Sequence, residues 1–256
     1  MAFKFFDNFI VLFFIIGCVF GKFPEDIEKC KYGDVECIKK VAGDVLQKYP
    51  HGLESLKLPD LEPFHLENAT FGDASTPREN FDVKLKMSDF DLFGLSKIVF
   101  EKFVGFEKDP TKSKFEFYGR IPNLKINAKY DVKGKVLGLP IEGDGPLEME
   151  IGNVDVSLKI KLKESEKKDD KTYTKVDKYK ILIDAKSFKI NLKNLFKGDK
   201  NLGQSMNELL NKNWQTIWTE VRSDVGKIVG KFITDILNDV FTSLPYEDLF
   251  LQEKQE

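Results

Sequence analysis

The sequence predicts an α+β protein in which a strongly curved antiparallel sheet wraps one long C-terminal helix. Two observations predict it. Apolar residues recur at a period near four through the last fifth of the chain, and at a period of two through its middle. From Leu202 to Leu244 the stripe runs through Met206, Leu209, Leu210, Trp214, Ile217, Trp218, Val221, Val225, Ile228, Val229, Phe232, Ile233, Ile236, Leu237, Val240 and Phe241, with no proline before Pro245. A helix of that span is roughly 60 Å long at about 1.5 Å per residue, longer than the diameter of a compact sphere of this size, so the molecule is expected to be elongated. The positions 210, 214, 218, 221, 225, 229, 232, 236, 240 and 244 are spaced nearer to about 3.8 than to 3.6 residues. The buried face therefore rotates along the helix. A coiled-coil partner would need about 3.5, and the host for a rotating stripe is a twisted sheet that curls around it. Gly226 and Gly230 each cost about 1 kcal/mol in a helix interior and mark a candidate kink.

In the middle of the chain Val83, Leu85 and Met87 alternate with lysines, as do Leu124, Ile126, Ala128, Tyr130 and Val132 with polar residues. The alternation returns in Leu147, Met149 and Ile151, in Val154, Val156, Leu158, Ile160 and Leu162, and in Tyr179, Ile181 and Ile183. One dry and one wet face indicate antiparallel strands. Pro140, Gly143-Asp144-Gly145-Pro146 and Gly152-Asn153 read as the turns between them, and the charged stretch Lys163–Lys171 as a solvated hairpin loop. The run from Lys112 to Leu137 exceeds an ordinary strand, and long strands twist and curl. Such a sheet, apolar face inward over an apolar helix, encloses an interior that side chains need not fill, a hydrophobic tunnel.

Ahead of the sheet a shorter amphipathic helix is expected, N-capped by Asp34, with Val35, Ile38, Val41, Val45 and Leu46 on one face and Pro50-His51-Gly52 ending it. Residues 34 to 49 serve as a lid on the tunnel or as a plug of the core. The uncharged run from Phe9 to Phe20 is too short to span a bilayer and reads as a secretory signal, residues 1–21, cleaved after Gly21 and leaving a single domain over 22–256. Ile15-Ile16-Gly17-Cys18 offers the alternative of a lipidated anchor. A secreted chain keeps Cys30 and Cys37 after cleavage, and a disulfide between them is the natural outcome in an oxidising compartment. Asn68-Ala69-Thr70 is a glycosylation sequon.

The net charge of −2, with signs interspersed, offers no basic face for nucleic acid and no polybasic patch for a stable membrane anchor. No G-x-S-x-G elbow and no H-E-x-x-H motif occurs, and His51 and His65 are too few to hold zinc. The expectation is a non-enzymatic protein without metal or cofactor. Its chemistry is apolar: 23 phenylalanines, 7 tyrosines and 2 tryptophans. Trp214, Trp218, Val221 and Val225 share the helix face that looks into the tunnel, and Tyr118, Tyr130 and Tyr179 are candidate hydroxyl donors to a ligand. Burying about fifteen carbons is worth roughly 12 kcal/mol gross, enough for useful affinity without metal or charge.

Three stretches resemble a known family. Phe23-Pro24-Glu25-Asp26-Ile27 precedes Cys30 and Cys37; Gly134, Val136, Leu137, Pro140, Gly143 and Gly145 punctuate a hairpin; and Met206-Asn207-Glu208-Leu209-Leu210-Asn211 with Trp214 closes at Pro245-Tyr246-Glu247-Asp248-Leu249-Phe250. On these the mature chain is similar to the insect takeout and haemolymph juvenile hormone-binding proteins. The resemblance implies a super-roll fold akin to lipid-transfer and bactericidal permeability proteins, and a secreted carrier of juvenile hormone, a fatty acid or a similar terpenoid or lipid, with links to circadian output or feeding. No cysteine follows Cys37, so the chain looks more takeout-like. The rival reading is a signalling protein with a filled core whose outer surface meets an unidentified receptor.

Overall fold

The computed structural model describes residues 23–72, 80–168 and 170–252; the expected signal segment lies outside them. Its centre is a seven-stranded antiparallel sheet with strands β1 (Phe64–Phe71), β2 (Phe81–Phe93), β3 (Val99–Val104), β4 (Phe115–Val136), β5 (Leu139–Lys168), β6 (Lys171–Asp184) and β7 (Ser187–Leu192). The main path is β1-β2-β4-β5-β6; β3 also pairs with β4, and β7 with β5. At about 3.3 Å per residue β5 alone would extend roughly 100 Å if straight, so strands of this length must coil. Helix α1 (Val35–Lys48) lies on β3, α2 (Lys200–Lys212) on β7 and α3 (Trp214–Ser243) on β6.

The expected single helix is two. Asn213, at φ −110° and ψ 21°, leaves the helical region, and the Leu209 carbonyl accepts both its backbone N–H at 3.1 Å and its side-chain Nδ2 at 2.8 Å, which holds the chain at the break. The break lets α2 follow β7 while α3 turns along β6. Gly226 and Gly230 do not kink α3, which is continuous through both. They are contact points: a Cβ on Gly230 would fall 2.4 Å from the Tyr179 ring, and one on Gly226 3.7 Å from the Ile181 methyl.

All three predicted turns are also corrected, since each lies within β5, where Pro140 pairs with Lys135. The β4–β5 hairpin turns at Leu137-Gly138, both at positive φ (51° and 79°) as a two-residue turn of matching twist requires. Gly143 and Gly145 lie inside β5, opposite Val132 and Tyr130. There the chain after β7 crosses so closely that a Cβ on Gly145 would meet the Lys193 carbonyl oxygen at 2.6 Å. Gly152-Asn153 is likewise mid-strand. Asn153 takes φ 48° between the pairs Ile121↔Val154 and Asn123↔Gly152, and there the inward face changes parity in both strands. In β4 the buried residues Phe115 and Ile121 are odd, whereas Leu124, Ile126, Ala128, Tyr130 and Val132 are even. The charged stretch Lys163–Lys171 is mostly strand, exposed as expected among the described residues, with Asp170 in the turn before β6.

Candidate functional site

Both edges of the sheet meet the same helix. On one side β6 packs on Gly226 and Gly230, and the Val176 N–H donates to Asn238 Oδ1 of α3 at 2.8 Å. On the other, Phe64 of β1 stacks on Phe232 of α3 with ring centroids 4.2 Å apart. A sheet whose first and last strands of the main path reach one helix must curve around the space between.

Two hydrophobic cores join the sheet to the helices. One core gathers Val83, Tyr130, Leu147, Leu192, Met206, Leu210 and Trp218; the other gathers Phe115, Leu158, Leu162, Phe241, Tyr246 and Phe250. Between them the helix presents Val229, Phe232 and Ile236. At about 100° per residue these lie within roughly 60° of Trp218 and Val225, on the concave side. All three are only half-buried, and they belong to neither core. Apolar side chains turned inward yet incompletely packed are the place on this face to look for a ligand contact.

The residues singled out by sequence divide accordingly. Trp218 is buried, with Trp214, Val221 and Val225 half-buried beside it, all on the first core. The Trp218 indole N–H is buried without a protein acceptor among the described residues. An orphaned buried donor costs about 1–3 kcal/mol, and buried polar groups are ordinarily paired. Tyr130 faces inward, but its hydroxyl is already donated to the Lys193 carbonyl at 2.7 Å. Tyr179 pairs opposite Ile160 on the inward side, against Gly230. Tyr118 lies on the outer face and donates to Glu116 at 2.9 Å, so it is not part of the lining. Its misplacement follows from the parity change at Pro122-Asn123, downstream of which the inward positions are even. Val229, Phe232 and Ile236, which the sequence reading placed on the apolar stripe without a site role, share this helix face, and Phe64 of β1 meets Phe232 there.

Burial, with the charge of Asp144, pushes the Tyr130 phenol up to about 12. Unfolded tyrosine ionises near pH 10, so the unfolded chain loses this proton first. Stability is therefore intact below about pH 10 and falls as pH rises toward about 12. Tyr130→Phe should flatten that alkaline fall in urea titrations while losing about 1 kcal/mol at neutral pH with the hydroxyl's bond; an unchanged alkaline slope would refute this origin.

At the far end of the space α1 begins at its Asp34 cap, whose carboxylate accepts the Cys37 N–H at 3.1 Å. Cys30 and Cys37 are joined in a disulfide. None of α1's apolar residues is fully buried. The C-terminal segment ties this region down. Tyr246 donates to the Glu107 carbonyl at 2.9 Å, Phe250 stacks on Tyr32 at 4.5 Å, and the Leu251 N–H donates to the Cys30 carbonyl at 2.9 Å. His51 and His65 lie exposed against Asp60 and Asp91. Among the described residues no cluster of three or more His, Cys, Asp or Glu gathers as a metal site, and no helix is long and apolar enough to cross a membrane.

A family model described as haemolymph juvenile hormone binding protein matches residues 9–251. The circadian clock-controlled protein daywake of Drosophila melanogaster is 30% identical over 233 residues, 90% of this chain and 89% of its own length; that of Drosophila yakuba matches equally. Among solved structures, Takeout 1 of Epiphyas postvittana superposes with a TM-score of 0.73 at 23% identity, covering 86% of this chain and 97% of that one. The architecture is thus the super-roll of the takeout proteins.

Proposed function

The chain belongs to the haemolymph juvenile hormone binding protein family, and from that premise we propose that it is a secreted carrier of one elongated apolar ligand. The ligand lies along α3 between the two packed cores. The observation that supports this reading is the half-buried inward face of Val229, Phe232 and Ile236. The unpaired Trp218 N–H supports a ligand with a hydrogen-bond acceptor, such as a carbonyl, ester or hydroxyl oxygen. Helix α1, tethered by its disulfide and only half-buried, is the lid through which the ligand enters. Residues 1–21 direct secretion, and Asn68, exposed on edge strand β1, carries a glycan. The fly relatives are named for clock control, and a daily rhythm in abundance is proposed here on that likeness alone.

The test is uptake of a fluorescent fatty acid and a fluorescent terpenoid, alongside native mass spectrometry of the protein purified from its own fluid. A co-purifying apolar molecule at one per chain is expected. Val229→Trp should fill the space and reduce probe uptake at least about tenfold with little loss of thermal stability, since the gap is not tightly packed. Trp218→Phe should leave the empty protein as stable or more stable, because it removes an orphaned donor, while weakening an acceptor-bearing ligand about fivefold. A protein that is empty and ignores both probes would overturn the carrier and favour the filled-core signalling reading.

A further inference from the structure

We propose that the outer face of the β5–β6 hairpin is a docking surface for an anionic lipid bilayer. The strand register places Lys159 opposite Lys180, Lys161 opposite Lys178 and Lys163 opposite Lys175. These are three successive cross-strand pairs of like charge, all on the side away from the buried Leu158, Ile160 and Leu162. Like charges directly opposite destabilise a sheet. Elsewhere like pairs such as Lys84↔Lys133 and Asp131↔Asp144 are interspersed with opposite ones, Asp82 against Lys135, Lys86 against Asp131, Lys133 against Glu142 and Glu150 against both Lys125 and Lys189, so no comparable run of three forms there.

Local acids do not neutralise the ladder. Glu116 pairs with Lys159 at 2.8 Å and Asp177 with Lys163 at 2.8 Å. Lys161, Lys175, Lys178 and Lys180 make no ion pair among the described residues. Asp177 is the extra residue of a bulge between the pairs Lys161↔Lys178 and Leu162↔Val176; its carboxyl is held below the usual range by Lys163 first, with Lys178 and Lys161 adding their fields. The next rung adds an apolar element. Leu182, opposite Ser157, is 60% exposed on the same face while its neighbours Ile181 and Ile183 pack inward. A row of lysines beside an exposed leucine fits a charged interface with an acyl boundary beneath it better than it fits a soluble polyanion, which offers nothing to Leu182. The surface is independent of the interior, so the carrier reading and this one stand or fall separately.

The full secreted chain is sedimented with vesicles of phosphatidylcholine alone and of equal parts phosphatidylcholine and phosphatidylserine. Binding is expected only to the anionic vesicles and is lost at about 1 M salt, where the Debye length is about 3 Å. The variant Lys161→Gln/Lys178→Gln/Lys180→Gln should weaken binding roughly a hundredfold, at about fivefold per lysine, while melting no lower than the parent and taking up fluorescent fatty acid unchanged. Leu182→Ser should weaken it further at low salt, and Lys86→Gln/Lys125→Gln/Lys135→Gln, each lysine of which faces an acid, should leave it unaltered. Equal binding by the β5–β6 triple variant, binding that needs no phosphatidylserine, or retention on heparin without vesicle binding would overturn the proposal.

Discussion

Replacing Tyr246 with alanine is expected to destabilise the protein by about 3–5 kcal/mol, the range for deleting a large aromatic from a packed core. The residue is 1% exposed. Its ring meets Phe250 at 5.0 Å, and Phe115 and Tyr32 at 6.3 Å, joining the C-terminal segment to β4 and to the disulfide-bonded loop. The hydroxyl spans 139 residues of sequence to the Glu107 carbonyl. Burial raises its phenol well above the ordinary tyrosine range, so it remains a donor at any physiological pH. The flanking residues of the motif act in the same place: Glu247 accepts the Thr172 N–H at 3.0 Å, and Asp248 holds Lys171 at 2.8 Å. Tyr246→Phe keeps the ring and should cost only about 1–2 kcal/mol for the orphaned carbonyl. Urea unfolding distinguishes the two substitutions. A loss below about 1 kcal/mol for alanine would mean that this end of the molecule is not part of the cooperative unit.

Comparable losses are expected from the pair Asn207→Ala/Asn211→Ala, through hydrogen bonds rather than packing. Strand β7 has one neighbour, β5, and its other edge faces α2. Asn207 accepts the Leu192 N–H at 2.8 Å and donates to the Leu192 carbonyl at 2.9 Å; Asn211 does the same for Ile190, at 2.8 Å each way. Two amides one helical turn apart thus complete the edge as a further strand would. Removing both leaves four partly buried backbone groups unpaired, at about 3–6 kcal/mol in total once water has reached some of them. The bare edge should also pair with a second chain, so the double variant is expected to dimerise in size-exclusion chromatography. Asn207→Asp is the stringent control. It is nearly isosteric, but it sets a carboxylate oxygen against the Leu192 carbonyl, and should cost more above the carboxylate pKa than below it. A pH-independent effect equal to that of alanine would refute the amide account.

These motifs explain how much of the molecule was legible in advance. The Met206–Asn211 and Pro245–Phe250 stretches marked the family before their work in the fold was visible: one caps a sheet edge and the other seals an end. The alternation of Val154 to Leu162, the Asp34 cap and the pairing of Cys30 with Cys37 were also readable, because each depends on residues within one turn or one strand of each other. The inward helix face could be read only in part. Trp218 stood out by its position on that face, whereas the half-burial of Val229, Phe232 and Ile236 outside both cores depends on the sheet opposite them.

Residue order alone determined the main strands, the C-terminal helical region, their apolar sides and the tethered amino terminus, since these follow from side-chain periodicity and local chemistry, and its motifs carried the resemblance to the family. Long-range register decided the rest. Whether a glycine turns the chain, as at Gly138, or admits a crossing segment, as at Gly145, depends on what lies opposite it. The parity change at Asn153 reverses which tyrosines face inward, and the pairing of β5 with β6 assembles scattered lysines into one row. Cross-strand partners are set by how the whole curved sheet packs on α3, a condition that no local stretch of sequence contains.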